Sequence, residues 1–188
     1  MVDIEKSPTP QKRRGSATAV LAELCIMAMM AAIMTVSDFA MNVIPNVHLV
    51  GVLIVTLTVV YRHKALYAIY VYAFLIGLIE GIGLWWFPYL YVWTVLWGMT
   101  MLLPRRMPKW LAPIAYALVC GLHGFAFGFL WIPSQMLLMN FSWKMALSWW
   151  AVGFVTADIP HGIGNLVGST LIVPLVTLIR KLDRRLSK

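Results

Sequence analysis

Charge is what this chain has least of. Asp, Glu, Lys and Arg together make up 12% of its 188 residues, whereas 61% are hydrophobic. A soluble domain carries about a quarter charged residues, and its apolar runs are only as long as its core can bury. The runs here exceed that, which excludes an ordinary soluble domain and makes the chain a polytopic membrane protein. Acidic residues are the scarcer sign, seven against fifteen basic ones, for a net charge of +8. The basic residues fall in short clusters between apolar runs rather than along one face, so they set membrane topology and argue against nucleic acid as a partner. Cysteine is scarce too. Cys25 and Cys120 both lie inside apolar runs, outside any CxxC or Cys/His ligand spacing, and read as small core residues. Catalytic signatures are missing: there is no HExxH or HxxxH pair for a metal, no GxSxG nucleophile elbow and no matched pair of intramembrane aspartates. Neither an enzyme nor a resident metal or cofactor is expected. The chain also lacks a GxxxxGKS or GxxxxGKT phosphate loop, so ATP-driven work requires a partner.

What is present is a series of apolar runs separated by punctuation. Residues 1–15 are polar, contain Pro8 and Pro10 and close on Lys12, Arg13 and Arg14, as expected of a disordered basic cytoplasmic lead. The run 16–41 is too long for a signal-peptide core and is expected to remain as the first membrane helix. Further spans are expected at 47–61, 65–86, 89–103, 110–132 and 162–179, with Arg62, His63 and Lys64, then Pro104, Arg105, Arg106 and Lys109, as cytoplasmic turns. Residues 133–161 tempt a seventh span, but Gln135, Asn140, Lys144 and Asp158 interrupt them and Pro160, Gly162 and Gly164 follow. Charge decides the count. With six spans, 14 of the 15 Lys and Arg residues share one side, whereas seven would put the basic tail outside. The expected fold is therefore all-α: six transmembrane helices over 16–182, both termini cytoplasmic, a basic tail at 183–188, and a long outer loop, 133–161, containing one amphipathic or re-entrant helix.

The stretch Gly77 to Trp93, GLIEGIGLWWFPYLYVW, concentrates the chemistry. Glu80 lies 16 residues beyond Lys64, so a continuous helix carries it about 24 Å into the bilayer, where an ionisable group is costly and commonly functional. A neutral, hydrogen-bonded Glu80 is the structural alternative. Trp85, Trp86, Tyr89, Tyr91 and Trp93 form an aromatic crown that anchors helices at an interface and also offers stacking surface. On the six-span topology Asp38, Asn42, Asn46, His48, Glu80, His123, Gln135, Asn140, Asp158, His161 and Asn165 all fall in the outer half, while the inner half has little beyond Glu23. That distribution suits a cup open to the outside rather than a through-channel. Asp158, His161 and Asn165 share a helical face by their spacings of three and four. Three GxxxG pairs, Gly77/Gly81, Gly124/Gly128 and Gly164/Gly168, predict close helix contacts.

The first run carries AMMAA, with Ala28 and Ala32 at i, i+4 spacing and Ala31 between them, followed by a short turn and PNVHLVG. Together with the length and the six spans, this pattern resembles the substrate-binding S components of energy-coupling factor (ECF) vitamin transporters, over roughly residues 16–182. The resemblance implies a protein of the cell membrane that binds a small vitamin outside and docks, through Ala28, Ala31 and Ala32, on an ECF module of one transmembrane T subunit and two ATPases. In that family the outer loops form the binding site, here Asn46, His48, Trp85, Trp86, Tyr89, Gln135, Asn140, Asp158, His161 and Asn165. These are rich in aromatics and neutral amides and Lys144 is the one basic residue near them, so a large, largely uncharged ligand is expected. PNVHLVG and the aromatic crown are most similar to cobalamin-type members. Folate, pantothenate or a pyrimidine precursor remain open, as does a ligand-free assembly subunit.

Overall fold

The computed structural model describes residues 17–40 and 48–186. The basic lead, and Asn42, Pro45 and Asn46 of the expected outer turn, lie outside the described residues. Among the described residues the structure is helical, with no strand. Apolar runs with few internal breakers leave the backbone no better way to pair its polar groups in lipid. Three stretches are long and apolar enough to cross a membrane, 20–40, 50–80 and 143–183, and a bent pair over 111–138 makes a fourth.

The first helix, α1 (Ala17–Ala40), leads to α2 (Val50–Tyr61), whose residues Val50 to Thr58 are all buried. The hydroxyls of Thr56 and Thr58 are silenced by donating back to the carbonyls of Val52 and Ile54. The 50–80 stretch is not one rod. Arg62 sits at φ 55°, ψ −117°, opening a 3₁₀ turn, Arg62–Lys64, that reverses the chain into α3 (Ala65–Glu80). His48 and Tyr72 both edge the ring of Trp93, at 5.8 and 6.1 Å between centroids. In a straight helix these two residues would stand about 36 Å apart.

Side-chain pairings orient the remaining helices. Lys64 pairs with Glu23 at one end of α1 and Tyr72 donates to Asp38 at the other, so α1 and α3 run the same way. Helix α4 (Tyr89–Met101) returns beside them, Trp97 donating to the Arg62 carbonyl and Arg62 to that of Met101. Helix α5 (Leu111–Phe125) climbs again and breaks at Ala126 (φ −95°, ψ 0°) into α6 (Phe127–Leu130) and α7 (Ile132–Met139), a bend of 60°. After α8 (Trp143–Gly153) come a π-helical turn at Phe154–Asp158, α9 (Ile159–Gly168), a 3₁₀ turn at Ser169–Leu171 and α10 (Ile172–Leu186). The two irregular turns precede Pro160 and Pro174, which cannot donate to the carbonyls of Thr156 and Thr170. Tyr61 donates to Asp183, so α10 ends where α1 begins. The molecule thus has a basic end, with Arg62, Lys64, Arg105 and Arg180, and an aromatic end around Trp93.

Two expectations need correction here. Residues 133–161 are not a long loop with one helix but two helices and a π turn. Their polar residues terminate and pin helices rather than interrupt them: Asn140 ends α7 in the left-handed conformation (φ 55°), Ser142 caps α8 by accepting from the Met145 amide, and Asp158 is buried. The third helix also stops at Glu80 instead of running to 86. Gly81 turns the chain at φ 88°, and Trp86 folds back to donate its indole N–H to the Ala73 carbonyl at 2.7 Å. That indole fills the space over Gly77, where a Cβ would lie 2.5 Å from Nε1.

Candidate functional site

Trp93 is fully buried and is the hub of the aromatic end. Its ring meets His48 from just before α2, Tyr72 from α3, Tyr89 one turn earlier on α4, and His123 and Phe127 from the α5–α6 bend. His161 of α9 closes the circle, 4.6 Å from His48 and 4.5 Å from Phe127 between ring centroids. Trp85 stacks edge-on against Tyr89 and Trp131 joins Tyr89 and Phe127. Three histidines that are 113 residues apart in the chain at their extremes, His48 to His161, therefore share one aromatic box.

Glycines permit this convergence. A Cβ on Gly124 would fall 2.8 Å from the Gly162 Cα and 2.8 Å from Asn165 Nδ2, so α5 and α9 touch backbone to backbone. Gly51 leaves a slot in α2 for the same Asn165 amide, which donates to the Cys120 carbonyl at 3.1 Å. At the bend the Gly128 amide donates to Asp158 Oδ1 at 2.8 Å, while Trp150 donates to Oδ2 at 2.9 Å. Asp158 thereby ties α6 to α8 and the π turn, with both oxygens engaged by neutral donors. A cavity of about 830 Å³ opens beside it, lined by Trp149, Trp150, Gly153 and Thr156.

The electrostatic character of the box is set by atoms without partners. Buried side-chain atoms that find no hydrogen bond include His48 Nδ1, His123 Nδ1, His161 Nε2, Trp93 Nε1, Trp131 Nε1, Gln135 Oε1 and Asn165 Oδ1. All seven belong to the aromatic end. Each such group costs roughly 1–3 kcal/mol while unpaired, so the aromatic end holds a concentration of hydrogen-bonding capacity that the protein's own groups leave unused. They are neutral and include both donors and acceptors. His123 has its second nitrogen committed to the Val92 carbonyl at 3.0 Å. The histidines do not converge on one point, and among the described residues no group of three His, Cys, Asp or Glu is arranged to hold a metal ion. His48 also borders a second cavity, about 310 Å³, with Leu49, Gly164 and Gly168, which places the box next to open space.

Measured against the residues singled out from sequence, the structure gathers His48, Trp85, Tyr89, Gln135, His161 and Asn165 at this end, and buries Asp158 as a tether. Glu80 is exposed at the last position of α3, within electrostatic reach of Tyr72 and Tyr89 but outside the buried box. Asn140 is an exposed helix terminator and Trp86 a half-buried brace on Gly77. Asn46 lies outside the described residues. Of the alanines, Ala28 and Ala32 are exposed on one face of α1, whereas Ala31 is 0% exposed and packs into the core. Two central residues were not among the expected binding-site residues: His123, placed only with the outer-half polar residues, and Trp93, placed only in the aromatic crown. The GxxxG pair at Gly124 was the available signal, since it draws His123 against α9. Comparisons with protein-family profiles, with curated proteins and with solved structures give no match.

Proposed function

We propose that this chain is a membrane-embedded substrate-binding subunit, similar to the S components of ECF transporters, that takes up a large, largely uncharged vitamin at its aromatic end. It crosses the membrane six times with both termini in the cytoplasm, and it delivers cargo through a partner module that supplies the ATPases. The observation that carries this reading is the set of seven unpaired, neutral, buried polar atoms around Trp93. Their concentration in one region favours a binding subunit over a ligand-free assembly subunit. The cargo class follows from what this end presents: the half-buried rings of Trp85, Tyr89 and Trp131 offer stacking surface to a flat or corrin-like ring system, over a buried layer of neutral polar groups. No Arg or Lys belongs to the set, so a phosphorylated cargo is disfavoured.

Cobalamin is the first cargo to test, with folate, pantothenate and a pyrimidine precursor as competitors. Calorimetric titration of the detergent-purified chain should show saturable heat with one of them. Trp131→Phe removes a donor while keeping an aromatic ring, and should weaken binding about fivefold to tenfold, the effect of one hydrogen bond. Heat from a competitor but not from cobalamin would overturn the cargo assignment. Absence of heat from all four, together with no small molecule in mass spectra of the purified protein, would favour the assembly subunit.

A further inference from the structure

At the basic end, three arginines from distant parts of the chain converge on one cavity. Arg62 comes from the α2–α3 turn, Arg105 from the α4–α5 connection and Arg180 from α10, and with Thr100 and Tyr116 they line about 220 Å³ of space. No acidic side chain lines it. Arg62 is the most constrained of the three. Its backbone occupies φ 55°, a region that favours glycine, so the surrounding structure holds it there against an intrinsic cost. Its carbonyl accepts from Trp97 and its guanidinium donates to Met101 O, so both backbone and side chain are fixed. Its Nε is nevertheless buried without a partner. A strained residue with a positioned but unsatisfied donor at the edge of a cationic cavity is preorganised for an oxyanion.

We infer that the cavity formed by Arg62, Arg105 and Arg180 binds a phosphate-bearing anion, and that its occupant is the headgroup of an anionic phospholipid. Size and position favour the lipid. The space holds a phosphodiester but not a nucleotide, and it lies at the end where the apolar helices give way to basic turns, the level of a bilayer's headgroups. This inference does not depend on the identity of the vitamin or on vitamin binding at all.

Native mass spectrometry of the full chain, released from detergent with equimolar phosphatidylglycerol and phosphatidylcholine, tests it. Phosphatidylglycerol should be retained in preference, one molecule per chain. The double variant Arg105→Gln/Arg180→Gln should lower that retention about tenfold, the loss of two charge-assisted contacts, while Lys109→Gln, which removes a basic charge of the same connection outside the cavity, should leave it unchanged. Because Arg180 belongs to a helix, Arg105→Glu alone, in an exposed connection, guards against a folding artefact and should also cut retention. Equal retention of the two lipids, or equal losses in the Lys109 and arginine variants, would overturn the site. Inorganic phosphate binding the cavity without competition from phosphatidylglycerol would overturn the lipid assignment and make the occupant a soluble anion.

Discussion

Gly124→Ala places one methyl group at a close approach of α5 and α9, the most extensively packed helix pair among the described residues. The new Cβ would lie 2.8 Å from the Gly162 Cα and 3.0 Å from its nitrogen, which are backbone and cannot rotate aside. It would also lie 2.8 Å from Asn165 Nδ2 and push that amide off the Cys120 carbonyl. Forced overpacking costs about 1–3 kcal/mol and the displaced hydrogen bond about 1 kcal/mol more, so the variant should lose roughly 2–4 kcal/mol. Gly98→Ala is the matched opposite. It is the same change within helix α4, but with nothing inside 4 Å of the new methyl, so it should gain about 0.5–1 kcal/mol by stiffening the unfolded chain and favouring helix. Thermal unfolding in one detergent, followed by tryptophan fluorescence, should put Gly124→Ala several degrees below the wild type and Gly98→Ala at or above it. Because both changes are glycine to alanine, helix propensity alone predicts a gain for each. A Gly124→Ala protein that melts at or above the wild type would therefore refute the backbone contact between α5 and α9.

Asp158→Ala leaves the Gly128 and Trp150 N–H groups unpaired, and should lower stability by about 2–4 kcal/mol in the same unfolding assay, with Asp158→Asn retaining part of it through one remaining acceptor. If Ala28 and Ala32 meet a partner helix, Ala32→Trp should reduce uptake in cells while ligand heat on the purified chain is preserved; loss of both would assign the alanines to internal packing. A reporter active only outside the cytoplasm should stay silent when fused after Lys188, and a signal there would defeat the six-span topology.

The helical content and the two chemically distinct ends were legible from sequence because both are local signals: apolar runs with few breakers, aromatics after Gly77, and arginines in turns. The GxxxG spacings also located real contacts, although Gly77 receives the indole of Trp86 rather than a helix. What sequence could not give was pairing across the chain. His123 looks like a lone polar residue in α5 until the bend at Ala126 and the contact at Gly124 bring it to Trp93 and α9. The helix does carry Glu80 16 residues past Lys64, but it was expected to run on to 86 because the run stays hydrophobic, whereas Gly81 ends it at positive φ. Residues 133–161 were misread because Asn140 and Asp158 were counted as interruptions; one is a helix end and the other a buried acceptor, and neither role has a signature in composition. The arginines of the basic end were read as topology markers, and nothing in their spacing showed that three of them line one cavity.

The turn at Arg62 divides a 31-residue apolar stretch into arms of 12 and 16 residues, whereas 143–183 continues for 41. At ~1.5 Å per residue these are about 18, 24 and 61 Å, against a hydrocarbon slab of about 30 Å. No upright posture satisfies all of them at once. If these elements cross a bilayer, lipid thins along the flank of the short arms and the long element slants or protrudes, at a fraction of a kcal/mol for each ångström of mismatch. The angle at which the protein rests therefore becomes a property shared with its lipid, and acyl-chain length should act on it as a control that touches no residue of the binding site.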